Sequence, residues 1–307
     1  MRQPFGWTHR TLQSYIANMT TREFIKMHGL GNDFVVIDAR QRPLQVDAAG
    51  AHALADRHTG IGFDQLITLE PARDGRAAAF MRIHNADGGE VSACGNATRC
   101  VARLLLEQGA ESEIVVETSA GLLTARPAGN TNSDDGLYTV DMGPARDGWQ
   151  DIPLARDCDT GHLPLARGPL SDPVGVNVGN PHAVFFVADA EAIALDQLGP
   201  GLEHDPLFPE RANISVAHII DSGALRLRVW ERGVGLTQAC GTGACAAAVA
   251  AHRRGLTGRQ VQVHLDGGSL DIEWLADGHV AMTGPASISF TGTFDDSLLA
   301  APEKRND

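Results

Sequence analysis

Lysine is almost missing from this sequence. Among 307 residues only Lys26 and Lys304 carry a primary-amine side chain, and Lys304 stands in a polar tail. A pyridoxal-type cofactor needs a Schiff-base lysine, so none is expected. Basic charge is short as well: 25 Lys and Arg face 38 Asp and Glu, a formal net charge of −13. A nucleic-acid partner would need a basic face, so none is expected. No apolar run approaches the roughly 20 residues of a membrane-spanning helix, so no membrane partner is expected either. Residues 1–22 carry Arg2, Arg10 and Arg22, no acid and no continuous apolar stretch, unlike a secretory signal. They read as a disordered extension, and the cytoplasm is the expected compartment. Five cysteines, an odd number, do not suit a disulfide framework. Neither a glycine-rich dinucleotide fingerprint nor a P-loop is present, so no nucleotide cofactor is indicated.

What the sequence does contain, it contains twice. Ala93-Cys94-Gly95-Asn96 returns as Ala239-Cys240-Gly241-Thr242, with the cysteines 146 positions apart. Gly31-Asn32 answers Gly179-Asn180 and Gln65 answers Asn213, each at an offset of 148; Asn85 answers Glu231 at 146. Self-similarity at a domain-sized period implies two similar domains, each supplying one cysteine. The expected fold is α+β: two pseudo-symmetric domains, each a mixed β-sheet curled around a central α-helix, with the active site in the cleft between them.

Strands are expected at Phe24–Met27, Phe34–Asp38, Gln65–Leu69, Phe80–His84, Glu113–Glu117, Leu122–Arg126 and Tyr138–Met142, with a polar loop at Asn130–Asp135. Helical spacing covers Val46–His58, and a helix of about 13 residues follows Cys94 to a stop at Gly109. Residues Arg146–Pro173 break the pattern and connect the halves. The second half repeats the order: strands Val174–Gly179, Ala183–Val187, Ile214–Ile220, Leu225–Trp230, Val261–Leu265 and Leu270–Trp274, with helices over Glu191–Leu198 and 242–254. The last of these helices has no strongly polar side chain until His252 and must be buried all round. From Asp295 the chain reads as a frayed polar tail.

Each of Cys94 and Cys240 precedes a helix, where unpaired N–H groups and the helix dipole favour a thiolate and depress a thiol's pKa. Cys100 and Cys245 fall on other helical faces and read as core residues. Cys158, outside the repeat, reads as incidental. Only the Cys240/Cys245 spacing falls within the range of a zinc-ligand pair and no second pair accompanies it, so no metal is expected. Two thiols across a cleft suit stereoinversion at a carbon acid, one removing a proton from one face and the other delivering one to the opposite face. His182 and Glu231 are the titratable groups that the repeat brings nearest to such a site. Arg232 and the amides at Gly95-Asn96 and Gly241-Thr242 can stabilise negative charge. Asn32, Asn85, Asn180 and Asn213 offer a polar lining for a zwitterion.

The motifs Phe24-Ile-Lys-Met-His-Gly-Leu-Gly-Asn-Asp-Phe-Val-Val-Ile-Asp38, Gly60-Ile-Gly-Phe-Asp-Gln65, Asn85-Ala-Asp-Gly88, Ala93-Cys-Gly-Asn96, Gly179-Asn-Pro-His182, Pro209-Glu-Arg-Ala-Asn213, Glu231-Arg-Gly233 and Gln238-Ala-Cys-Gly-Thr-Gly-Ala-Cys-Ala246 resemble the diaminopimelate epimerases. The likeness spans Phe24 to Phe294. It implies a pyridoxal-independent epimerase that interconverts LL- and meso-diaminopimelate in lysine and peptidoglycan precursor synthesis, and a homodimer. It implies Cys94 and Cys240 as the catalytic thiols. Substrate contacts are implied at Asn32, Gln65, Asn85, Asn180, Asn213, Glu231 and Arg232, with amides at Gly95-Asn96 and Gly241-Thr242 holding a carboxylate. It also implies a C-terminal strand, about residues 286–297, returning to a first domain of residues 23–142; residues 143–285 form the second domain and 298–307 a tail. Two positions depart from the family pattern: Ala97 replaces a Gly and Leu236 a Glu. A cofactor-independent racemase of another amino acid, of histidine or proline type, is the alternative on the same fold.

Overall fold

The computed structural model describes residues 21–109, 111–129 and 136–299; the expected loop at Asn130–Asp135 and most of both terminal segments lie outside them. Runs rich in β-branched and aromatic residues, such as Val35-Val36-Ile37 and Val184-Phe185-Phe186, pair into one mixed sheet of 17 strands. A separate ribbon pairs Ala166–Arg167 with Leu170–Ser171. The described α-helices are α1 (Ala48–Ala55), α2 (Gly95–Gln108), α3 (Leu195–Glu203) and α4 (Gly241–Arg253).

The duplication is written in strand register. In the first half Asn32–Asp38 runs parallel to Gln65–Glu70, setting Phe34 beside Gln65, and Gln65 faces Asn85 on antiparallel Ala79–Asn85. In the second, Pro181–Phe186 runs parallel to Asn213–Asp221, setting His182 beside Asn213, and Ile214 faces Trp230 on antiparallel Ala224–Glu231. Each half then adds one parallel neighbour and two antiparallel ones. These are Ile114–Thr118, Gly121–Pro127 and Leu137–Pro144 in the first half, and Gln260–Leu265, Gly268–Trp274 and His279–Pro285 in the second. The terminal members, Leu137–Pro144 and His279–Pro285, pair antiparallel and join the two sheets. Ser287–Asp295 then pairs with Thr21–Gly29 of the first half.

Each half packs around one helix. In α4 every residue from Gly243 to Ala251 is buried, against Val229, Val263, Leu270 and Met282. Its alanines let the surrounding strands approach closely. In α2, Ala97, Cys100, Val101 and Leu104 fill the other core with Met27, Ile67, Val116 and Val140. The connecting stretch is no loose linker: Ile152, Leu154, Leu163 and Leu165 share a third apolar cluster with Phe185 and α3.

Several expectations shift. The first helix is shorter than Val46–His58, because Asp47 caps it by accepting the Gly50 N–H at 2.8 Å and it ends before Asp56. The Glu191–Leu198 helix lies instead at Leu195–Glu203. It runs through Gly199-Pro200-Gly201, with Leu195 and Leu202 buried. Thr21 and Arg22, assigned to the disordered extension, begin a strand opposite Asp295 and Phe294. Beyond Asp295 the chain does not fray at once: Asp296–Leu299 forms a 3-10 turn, Leu298 and Leu299 pack on the core, and Arg22 bonds Asp296 at 2.8 Å.

The halves approach closely where Gly267 meets Leu30. A Cβ on Gly267 would stand 2.0 Å from the Leu30 carbonyl oxygen, a backbone atom that cannot swing aside. Gly258 has nothing within 4 Å. Gly267→Ala should therefore lower stability by about 1–3 kcal/mol in urea titration, whereas Gly258→Ala should stay within about 0.5 kcal/mol of the parent. Equal midpoints for the two variants would show that this contact does not constrain the halves.

Candidate active site

A cleft of about 1120 Å³ opens between the halves. Cys94 is the N-cap of α2 (φ −148, ψ 112) and Cys240 the N-cap of α4 (φ −118, ψ 108), so both thiols leave extended backbone at the start of a central helix. Both line the cleft, with Gly95, Asn96, Gly241 and Thr242 from the first helical turns. The glycines leave room for a methionine: a Cβ on Gly95 would lie 2.6 Å from Met282 Cε, and one on Gly241 3.0 Å from Met282 Sδ. Met282 thus sits between the two helix starts. Asn96 Nδ2 ties them together, reaching Asn32 Oδ1 at 3.3 Å and the Ala239 carbonyl at 3.5 Å.

The remaining lining comes from strand ends. Gln65 Nε2 donates to Asn85 Oδ1 at 2.9 Å, and Gln65 Oε1 is buried with no partner among the described residues. Asn32 Nδ2 donates to Asp64 Oδ2 at 3.0 Å. Asn213, 2% exposed, donates to the Pro181 carbonyl at 2.9 Å and accepts the Arg232 N–H at 2.9 Å, holding the Arg232 turn against its neighbour strand. Arg232 also donates to the Glu210 carbonyl at 2.9 Å. Glu231 accepts from Thr237 Oγ1 at 2.5 Å and lies within hydrogen-bonding reach of Cys240. Asn32, Gln65, Asn85, Asn180, Asn213, Glu231 and Arg232 all reach the cleft. His182 does not line it. Wholly buried, it bonds Asn180 Oδ1 at 2.8 Å and Thr242 Oγ1 at 3.1 Å through Nε2 and so supports two residues that do.

Electrostatics overturn one expectation. The helix starts do not depress the thiols. Burial pushes Cys94 up to about 11, Glu231 adds to this, and the Ala97 and Asn96 amides pull back too weakly. Cys240 is raised well above an ordinary thiol by burial and by Glu231, against the pull of Thr242 and the Gly243 N–H at 3.3 Å. Desolvation of a charge in a closed cleft outweighs a helix-end partial charge. Burial also raises Glu231, while Thr237 and Cys240 pull it down. Burial lowers His182 to about 3, with Arg232 adding to the effect, so the ring is neutral. Cys100 and Cys245 are 0% exposed and raised to about 12 by burial, as core thiols should be. Cys158 packs beside the third cluster, away from the cleft.

Lys26 reaches the cleft rim, but its ammonium pairs with Asp33 at 2.5 Å and donates to the Gly62 carbonyl. Burial would raise Asp33, yet Arg57 and Lys26 outweigh it and hold that carboxyl well below the usual range. Among the described residues no group of three or more His, Cys, Asp or Glu side chains is arranged to hold a metal ion, and no helix is long and apolar enough to cross a membrane.

Sequence reasoning passed over two residues that hold this site. Glu203 of α3 is 3% exposed; it accepts from Trp230 Nε1 at 2.7 Å and from the Gly233 N–H at 3.0 Å, fixing both ends of the Glu231-Arg232 turn. A buried carboxylate in a short helix leaves no trace in spacing. Arg99 is 0% exposed and bonds Asn96 Oδ1 at 2.9 Å. A charged residue among the apolar positions of α2 was a readable signal.

Comparison with known proteins agrees with this geometry. The family model for diaminopimelate epimerase matches residues 24–147 and 174–289. The diaminopimelate epimerase of Rhodospirillum centenum is 57% identical over 278 residues, covering 91% of this chain and 94% of its own length. That of Erythrobacter litoralis is 59% identical over 273 residues, covering 89% and 97%. Among solved structures, a hydroxyproline epimerase from Agrobacterium vitis superposes with a TM-score of 0.65 at 18% identity, covering 89% of this chain and 91% of that one. A PhzF-family phenazine biosynthesis protein from Bacillus anthracis gives 0.65 at 14%, covering 90% and 99%. These two likenesses speak for the fold. With a family model spanning both halves and relatives above half identity along nearly its whole length, the chain belongs to the diaminopimelate epimerase family.

Proposed function

We propose that this enzyme interconverts LL- and meso-diaminopimelate by moving the α-proton between Cys94 and Cys240. The observation that carries the reading is the pairing of the two thiols at equivalent helix starts on one cleft, in a chain so similar to named diaminopimelate epimerases. One cysteine, as thiolate, takes the α-proton from one face of the carbon; the other, as thiol, returns a proton to the opposite face. The proton count is unchanged and the resting roles are exchanged, as reversal of the reaction requires. Glu231, raised by burial and within reach of Cys240, is placed to take that thiol's proton. The amides at Gly95-Asn96 and Gly241-Thr242, at the two helix starts, suit the carboxylate beside the reacting carbon. Arg232 with Asn32, Asn85, Asn180 and Asn213 suits the distal amino-acid end. Neutral His182 keeps Asn180 and Thr242 in place. The same reading carries a cytoplasmic, homodimeric enzyme.

A racemase of histidine or proline type would leave the distal polar lining without a partner, and buried polar groups without partners are costly. In heavy water the enzyme should exchange the α-proton of LL- and meso-diaminopimelate and leave histidine and proline unlabelled. Exchange on histidine or proline alone would reject the substrate.

Cys94→Ala and Cys240→Ala should each lower epimerisation at least about a thousandfold, a barrier increase of about 4 kcal/mol, while circular dichroism melts stay near the parent. Near-normal turnover in either variant would refute the two-thiol mechanism.

A thiol near 11 is protonated at neutral pH, so its reactivity should grow with pH. Carboxymethylation of Cys94 in the substrate-free enzyme should rise about tenfold per pH unit from 7 to 9, read by mass spectrometry. A rate already level by pH 8 would mean a thiolate at rest.

A further inference from the structure

We propose that Arg99 is a positioning residue for this reaction: its buried guanidinium holds Asn96 at the cleft and keeps a fixed positive charge behind the starts of both central helices. The inference rests on the thiol reading above and adds a residue to it.

The setting is built for a guanidinium. Arg99 is 0% exposed and the largest of the fully buried side chains. Its Nη2 donates to Asn96 Oδ1 at 2.9 Å, its Nε donates to the Pro285 carbonyl at 3.3 Å, and its Nη1 points at Met282 Sδ at 3.5 Å. Two glycines from opposing strands make the slot. A Cβ on Gly29 would lie 3.1 Å from Arg99 Nη2, and one on Gly284 would lie 3.3 Å from its Cζ and Nε. The residues so joined are those that set the cleft: Asn96 lines it and bridges to Asn32 and Ala239, and Met282 separates the helix starts.

The charge is unusual. Among the described residues Arg99 enters no ion pair; the groups that feel it are the thiols of Cys94, Cys100 and Cys245. A buried cation without a carboxylate is costly to keep. A lysine or neutral residue could not supply the same fork, and a paired arginine would be neutralised. The cost is offset when anions form on the cleft side. Epimerisation brings two of them there, a thiolate and the substrate carboxylate at the helix amides. Around Cys94 the opposing charge is Glu231 from the facing strand; Arg99 counters it from behind. Cys100 on the same helix and Cys245 on α4 stay protonated in the core.

Two replacements separate charge from shape. Arg99→Gln keeps a side-chain amide for Asn96 and removes the charge; Arg99→Met removes both the charge and the bond to Asn96. Folding is checked by thermal melting, and carboxymethylation of Cys94 is timed at pH 7, 8 and 9 in the full chain without substrate. The expected result is a rate about tenfold lower for Arg99→Gln at each pH, equivalent to one pH unit. For Arg99→Met the alkylation rate should fall by the same factor, since both variants lose the charge. In heavy water the diaminopimelate exchange rate of Arg99→Gln should fall by a similar factor at pH 7 and recover as the pH is raised. A folded Arg99→Gln that alkylates at the parental rate overturns the proposal. So does an alkylation loss in Arg99→Met that Arg99→Gln escapes, or failure of both to fold, which would assign Arg99 to stability alone. A parent chain that exchanges no diaminopimelate proton would instead reject the substrate reading, leaving the alkylation comparison to judge Arg99.

Discussion

Two helix starts have to meet across a single methionine. Cys94 and Cys240 face one cleft only because α2 and α4 begin side by side, and they do so because Gly95 and Gly241 leave room for Met282 between them. Asn96 then binds the turn of one half to the Ala239 carbonyl of the other. The sheet serves this approach. Its strands join at Leu137–Pro144 and His279–Pro285, the latter carrying Met282 itself. The return of Ser287–Asp295 to Thr21–Gly29 ties the second half back to the first.

That approach sets a contest between solvation and dipoles. A helix N-terminus offers roughly half a unit of positive charge, but a thiolate closed away from water loses more than this returns. The free site therefore holds thiols, and the charged partners around it become decisive. Glu231 adds negative charge near both sulfurs and can accept a proton from Cys240, which eases one proton transfer and opposes resting ionisation. A cleft that disfavours anions while empty and favours them once the substrate's charges are bound would commit ionisation to the occupied state.

Much of the architecture was legible because duplication turns spacing into geometry. Gln65 and Asn213, paired by an offset of 148, occupy equivalent positions in their sheets, beside Phe34 and His182. The apolar helix after Cys240 was readable as central, since nothing on it could face water. Two kinds of information were hidden. The bounds of α3 were one: the expected helix ends at Leu198, whereas the observed one runs through Gly199-Pro200-Gly201 to bury Leu202. Electrostatics were the other: the same Cys-Gly-helix pattern gives a low or a high thiol pKa depending on how much water reaches it, and water access is a tertiary property. Residues such as Glu203, which act through others, carry no motif of their own. Their place depends on which loop ends the fold brings near.

The two departures from the family pattern can now be separated. Ala97 is 0% exposed and packed in the first core with Met27 and Val101, and it lies outside the cleft lining. A methyl group there fills interior volume, and in the first turn of a helix alanine is favoured over glycine by roughly 1 kcal/mol or less. Leu236 differs in kind. It is 42% exposed, lies on the cleft edge beside Val234 at 67%, and pairs with Trp230 across the hairpin, one position from the Gly235–Glu231 pair. Where the family pattern places a carboxylate, this chain presents an apolar rim. With Glu231 already adding negative charge beside the thiols, the loss of a second acid at the rim leaves the approach to the cleft less repulsive to a doubly carboxylated substrate. Ala97 therefore bears on packing, and Leu236 on how the substrate meets the site.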